Sequence, residues 1–267
     1  MVLWADKSGA GLAWRTLCLL ILVWSPRAAA AEPAPTPPPS AAKTSWSSRL
    51  DSRHLTARVR LEISRDGKHE ERLLDVWRND DAAHHEKVML RFQRPEDMRG
   101  LALLYLEHEG RPNDYFLYQP ALQRLRRVPE ALAKEDVYGV DLEYLGMGGA
   151  LLVPTEEVSV EPTTVENRRA WLLTERALEQ NPKFDRRRVW LDAESYVPLR
   201  TEHELRGETT LIATTEKLES VQGVMSPLQI RFERPLSKQV ITMTVEGLDY
   251  EKPIPDEFFT TFTLVKE

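Results

Sequence analysis

From His54 onward, apolar and polar residues alternate with a period of two. Leu55 to Ser64 reads LTARVRLEIS, which puts Leu55, Ala57, Val59, Leu61 and Ile63 on one face. Successive side chains of a strand point to opposite sides of a sheet, so this spacing predicts a half-buried strand. Arg65-Asp66-Gly67-Lys68 follows, and Asp-Gly between alternating runs is a strong hairpin signal. Strands are predicted over Glu71 to Arg78, Glu86 to Gln93, Leu101 to Glu107, Asp114 to Gln119 and Leu122 to Val128, with Pro120-Ala121 as a tight turn. The pattern resumes over Glu156 to Glu161, Ala170 to Glu179, Arg186 to Asp192, Val197 to Leu205, Thr209 to Leu218, Leu228 to Glu233 and Gln239 to Leu248. Gly207 and Gly223 mark turns.

The connections are mostly short, which implies antiparallel neighbours, because parallel crossovers need about a dozen residues or more. Helical signal is thin. Pro129 to Lys134 and Trp46 to Arg53 suit a turn or two, and Asp136 to Leu145 fits helix or strand. Pro255 to Phe259 reads as a helical turn before a last strand. So many strands in one domain must close, curl or stack, since flat open edges aggregate. A barrel, a sandwich and a curved half-barrel with a helical lid all satisfy the pattern. Leu101 to Leu106 is apolar on both sides, so one face meets a core or cavity and the other is covered.

The first 46 residues break this pattern. Thr16 to Trp24 is an apolar run behind Lys7 and Arg15, and four alanines at 28 to 31 follow Pro26 and Arg27. This is the layout of a secretory signal peptide with cleavage near Ala30-Ala31. The run is too short for a membrane span, which needs about 20 residues. Residues 32 to 46 form a proline-rich tether, and 47 to 267 the folded domain. The only cysteine, Cys18, lies in the signal, so an exported chain has no thiol chemistry and no disulfide. The whole chain carries 36 Lys and Arg against 42 Asp and Glu, a net charge of −6. Cleavage removes Asp6, Lys7, Arg15 and Arg27, which leaves −8. An acidic exported chain argues against nucleic acid as a partner.

Catalytic and metal motifs are missing. There is no G-x-S-x-G elbow, phosphate loop, dinucleotide fingerprint or H-E-x-x-H. Gly146-Met147-Gly148-Gly149 reads as a loop, and His84-His85 after Asp80-Asp81 as a solvated turn. No enzyme activity, cofactor or metal is expected; Asp136, Asp141 and Glu143 are the only clustered acids near a glycine-rich loop. Arg124, Arg126 and Arg127, and Arg186 to Arg188, form two basic clusters. They suit either phosphate head groups or an acidic partner, or else solvent-facing pairs with nearby Glu. Trp77, Leu90, Phe92, Leu103, Tyr105, Phe116, Tyr118, Trp190 and Phe232 lie on predicted strands. Singly each reads as core; together they are candidates for lining an apolar cavity.

Phe92 to Val128 is the most distinctive stretch. Phe92 and Pro95 form Phe-x-x-Pro, and Asp97, Arg99 and Gly100 form an Asp-x-Arg-Gly turn in which Arg99 can brace Asp97. Then come an apolar strand, an aromatic strand with Asp114, Tyr118 and Pro120, and an Arg126-Arg127 strand. Looser matches follow at Arg188 to Asp192, Val197 to Leu199 and Pro255 to Phe258. This stretch resembles the periplasmic outer-membrane lipoprotein-sorting, or LolA-like, family. The family often has Gly-Ser-Asp-Phe-Ser-Tyr-Glu-Asp after the Arg-Arg strand; here the run from Gly139 keeps Gly139, Asp141 and Tyr144 but loses the serines, the phenylalanine and the closing acids.

The resemblance implies a mainly β fold, a curved antiparallel sheet forming an incomplete, half-open barrel with short capping helices. It implies a monomeric periplasmic carrier that holds acyl chains of a lipid or lipoprotein and assists transfer toward the outer membrane. An inner- or outer-membrane protein partner is then expected. The alternative is a non-enzymatic regulatory or scaffold module that binds an envelope membrane protein through the same half-barrel.

Overall fold

Period-two alternation becomes a single large sheet. The computed structural model describes residues 54–80, 85–129, 155–179 and 183–266. Its strands are β1 (His54–Arg65), β2 (Lys68–Asp80), β3 (Glu86–Arg94), β4 (Ala102–Leu106), β5 (Asp114–Gln119), β6 (Arg124–Arg127) and β7 (Thr155–Val165). They continue with β8 (Arg168–Ala177), β9 (Arg186–Asp192), β10 (Pro198–Leu205), β11 (Glu208–Val221), β12 (Val224–Arg234) and β13 (Gln239–Asp249). One short helix, α1 (Thr261–Val265), follows. The expected signal, the tether, the stretches 46–53 and 136–145, the glycine-rich loop and His84 lie outside the described residues.

All thirteen strands form one antiparallel sheet in the order β6-β5-β4-β3-β2-β1-β13-β12-β11-β10-β9-β8-β7. Neighbours in space are neighbours in sequence except at the centre, where β1 pairs with β13, and the consecutive strands β6 and β7 stand at opposite ends. The sheet is not closed: β6 and β7 are its two edges. It is a curved, half-open barrel. Curvature has a local cause. Register shifts interrupt β1–β13 at Thr56/Arg58, β2–β3 at Leu73/Leu74, β7–β8 at Glu157/Ser159 and β11–β12 at Thr215/Lys217. Each extra residue bends its strand and increases the local twist.

The tight turns set the register. Asp66-Gly67, Glu166-Asn167, Arg206-Gly207 and Gln222-Gly223 each have both central residues at positive φ and join strands paired up to the turn. That is the two-residue hairpin whose twist matches the flanking strands. Pro120–Leu122 and Pro235–Ser237 make 3-10 turns that end on Gln123 (φ 46) and Lys238 (φ 50).

Two sequence expectations are corrected. Asp256–Phe258 is a helical turn, but helix α1 follows it instead of a strand. Thr260 caps α1 by accepting from the Thr263 N–H at 3.2 Å, and Leu264 is buried, so a capped apolar turn wins over extension. Arg99 does not brace Asp97. The 3-10 turn Glu96–Met98 puts Glu96 beneath it, and the pair stands at 3.5 Å.

Candidate binding face

The alternating residues of β1 and their cross-strand partners define an inner face. A single cluster of buried side chains runs over eight strands, from Leu117 and Tyr115 on β5, through Leu61 on β1, to Leu211 on β11. At the far end, Trp171 and Leu173 on β8 pack with Val189 and Leu191 on β9. Pairing places Leu173 opposite Val189 and Val189 opposite Thr201, which lies opposite Ala213. Residues directly opposite share a face, so the apolar surface continues from β5 to β8. The outer face of β1 is polar: Arg58 pairs with Asp75 at 2.8 Å, and Arg60 with Glu246 at 2.9 Å.

The nine candidate cavity residues do not fall in one place. Leu90, Phe92, Leu103, Tyr105 and Phe232 belong to the inner-face cluster. Trp77, Phe116 and Tyr118 lie on the outer face, under Ile254, Phe259 and Leu264 of the C-terminal segment. Trp190 is also on the outer face, with the guanidinium groups of Arg188 and Arg200 5.8 and 5.7 Å from its ring centroid. Glu202 ties those two arginines together. Alternation fixes which residues of one strand share a face. The face common to several strands needs the register, which only pairing supplies.

The signature residues form a rim unit. Gly100 has φ +79, and a Cβ there would stand 3.4 Å from Pro120 Cγ, so the β3–β4 turn rests against the β5–β6 turn. The Arg94-Pro95 bond is cis, and Gly100 N–H donates to the Phe92 carbonyl at 2.9 Å. Asp114 accepts from His108 Nε2 at 2.9 Å and Arg111 Nη1 at 3.1 Å, and pairs with Arg127. Burial raises its carboxyl, but these donors together hold it below the ordinary range. Asp97 is exposed. Arg126 lies opposite Leu117, on the inner-face side of β6.

Sequence reading missed the charges on the apolar face. Arg78 Nε donates to Glu86 Oε1 at 2.6 Å, and Arg187 Nε to Glu175 Oε2 at 2.7 Å, with all four residues buried. The signal was there: Leu74, Val76 and Arg78 share one parity on β2, as do Leu173 and Glu175 on β8. Burial pushes Glu86 up to about 7, against the pull of Arg78. His203 sits opposite Arg187, its ring centroid 4.5 Å from that of Phe184. Burial, then Arg187, Lys183 and Arg234, hold its pKa well below the ordinary value, so the ring is neutral. His203 Nε2 and Trp171 Nε1 are buried without a hydrogen-bond partner among the described residues.

Two open clefts of about 590 and about 1030 Å³ lie on the outer side. The smaller is lined by Glu62, Glu71, Arg231 and Thr242, the larger by Arg176, Arg186, Glu204 and Arg206. Neither contains any of the nine candidates. Among the described residues, no three His, Cys, Asp or Glu side chains come together as a metal cage.

A family model described as an uncharacterized protein matches residues 84–266. No curated protein matches the chain. Similar solved structures include a DUF1329 family protein from Desulfovibrio piger, at 17% identity and TM-score 0.72, covering 86% of this chain and 100% of that one. An outer membrane lipoprotein-sorting protein domain from Vibrio parahaemolyticus aligns at 17% identity and TM-score 0.72, over 83% of this chain and 95% of that one. A LolA superfamily protein from Nitrosomonas europaea aligns at 14% identity and TM-score 0.66, over 85% of this chain and 99% of that one. At these identities the likeness is one of fold.

Proposed function

We propose that the chain, which belongs to the family whose model matches residues 84–266 and shares its fold with LolA-superfamily structures, is a periplasmic carrier that holds acyl chains of a lipid or lipoprotein on its inner face. The observation that carries this reading is the apolar face itself, continuous over eight strands of a sheet that does not close. An acyl chain is recognised by removal from water, at about 0.8 kcal/mol per buried CH₂, and needs no catalyst. Leu90, Phe92, Leu103, Tyr105 and Phe232 are the contacts of choice, because they share that face. Trp77, Phe116, Tyr118 and Trp190 are left out, because they do not.

Export is part of the proposal. Residues 1–31 act as the signal, 32–46 as the tether and 47–267 as the carrier domain. The mature N-terminus, read by mass from the exported protein, should lie just after Ala31.

Native mass spectrometry of protein drawn from its own cell envelope tests the carrier reading. Lipid adducts, displaced by added fatty acid, are expected. A bare protein that also fails to bind a fluorescent fatty acid would sink it.

A further inference from the structure

The edge strand β6 is unlike the rest of the sheet. All four of its residues are exposed. Leu122, at the end of the preceding turn, is 65% exposed and Leu125 is 40% exposed. Between and beside them stand Arg124, Arg126 and Arg127. Elsewhere exposed arginines are mostly matched to acids, as Arg58 is to Asp75 and Arg168 to Asp192. Arg127 is matched to Asp114. Arg124 and Arg126 meet no carboxylate among the described residues. The nearby turn carries Glu96 and Asp97, and Glu96 is engaged by Arg99.

The side chains of this strand are sorted. Gln119, Leu117 and Tyr115 of β5 face Arg124, Arg126 and Val128, because Val128 N–H donates to the Tyr115 carbonyl at 2.7 Å and Leu117 pairs with Arg126. Val128 packs on the inner-face core. Two guanidinium groups therefore extend the inner face to its open margin, while Leu125 and Arg127 turn to the other side. Leu122 is held forward by the 3-10 turn Pro120–Leu122, which rests on Gly100.

We propose that the β5–β6 hairpin docks the protein edge-on to an anionic phospholipid bilayer. The arginines meet lipid phosphates and Leu122 and Leu125 reach the boundary of the acyl region. Leucine interleaved with arginine suits that interface, where a cationic head and an apolar body are wanted within a few ångströms of each other. A polar acidic protein would leave the leucines unused. The chain as a whole is acidic, at −6, so its other surfaces are repelled by such a membrane and the contact is confined to this margin. Edge-on docking also turns the β6 edge of the described sheet, and with it that margin of the inner face, toward the lipid. The inference stands without the carrier reading, since it uses only exposed residues of one hairpin.

Sedimentation with phosphatidylcholine vesicles, with and without phosphatidylglycerol, tests it. Protein produced from the full chain and recovered after export should bind the phosphatidylglycerol vesicles and release as salt rises toward about 0.5 M. Arg124→Gln with Arg126→Gln should weaken binding roughly 20- to 30-fold, at about fivefold per arginine. Leu122→Ser with Leu125→Ser should weaken it as well. All four positions are exposed, so unchanged melting curves are expected. Binding that is absent in the wild type, or unchanged in either double variant, overturns the proposal. So does loss with the arginine pair alone, which marks simple adhesion to any polyanion. Fatty-acid displacement, run without vesicles on the same variants, should be unaffected, and its failure in the wild type would count against the carrier reading only.

Discussion

Glu86 is the residue whose chemistry is easiest to follow through the fold. It stands on the inner-face parity of β3, so pairing carries it away from water and toward Arg78. Burial pushes its carboxyl from an ordinary 4.5 up to about 7. The folded protein thus keeps this proton at a pH where the unfolded chain has released it. Glu86 favours folding most at the acid end, and that contribution falls as pH rises from about 4.5 through about 7. Glu86→Gln cannot titrate. Urea midpoints at pH 5 and pH 8 should show the wild type losing up to ~3 kcal/mol relative to the variant across that range. A constant difference between the two proteins would refute the assignment. The second pair behaves as a plain structural contact. Arg187→Ala leaves Glu175 buried without its guanidinium partner and should cost about 3–5 kcal/mol in the same measurement.

At the scale of elements, the C-terminal segment explains why β4 is apolar on both faces. Leu103 and Tyr105 look inward, whereas Ala102 and Leu104 look outward and are roofed by Ile254, Phe259 and Leu264. Polar clamps hold the roof. Arg91 donates to the Thr263 carbonyl at 2.8 Å, Asn79 to the Ile254 carbonyl at 3.1 Å, and Lys87 pairs with Asp256 at 3.2 Å. Phe259 is 4% exposed and Phe262 is 65% exposed, three residues apart on the same segment. Phe259→Ala should therefore cost about 3–5 kcal/mol in urea denaturation, and Phe262→Ala less than about 0.5. Equal losses would mean that the segment does not roof β4. Alternation made the strands themselves legible. Leu55 to Ser64 and Arg186 to Asp192 need almost no adjustment, and Asp66-Gly67 is the hairpin its dipeptide announces. The roof was not legible, because Thr261–Val265 is too short to show a helical period and its cover depends on β4, more than 150 residues away. The candidate site was legible only within strands. Trp77 and Val76 are neighbours in sequence and belong to opposite faces, and no pattern in the strand alone says which face is the inner one.

At the scale of the whole molecule, the order of the strands makes stability uneven. Chain order runs outward from β1 to the β6 edge and then inward from the β7 edge to β13, so the first and last strands meet at the centre. β1 is paired along its length on both sides, with β2 and with β13, and its inner positions Val59 and Leu61 are each 3% exposed. Among the described residues, β6 and β7 are each paired on one side only, and β6 has no buried residue. Amides open locally where few apolar contacts and few partner strands hold them, and globally where many do. Hydrogen exchange read by mass spectrometry should then be slowest in β1, β2 and β13 and fastest in β6 and β7. Protection should fall outward on both arms. The fall should be steeper toward β6, where β4, β5 and β6 are short, than toward β7, where long strands β8 and β11 intervene. Such a gradient lets the margins of the sheet open while the central strands keep the apolar face intact. Uniform protection from β6 to β7 would mean that the sheet unfolds only as one unit and that its open margin is no softer than its centre.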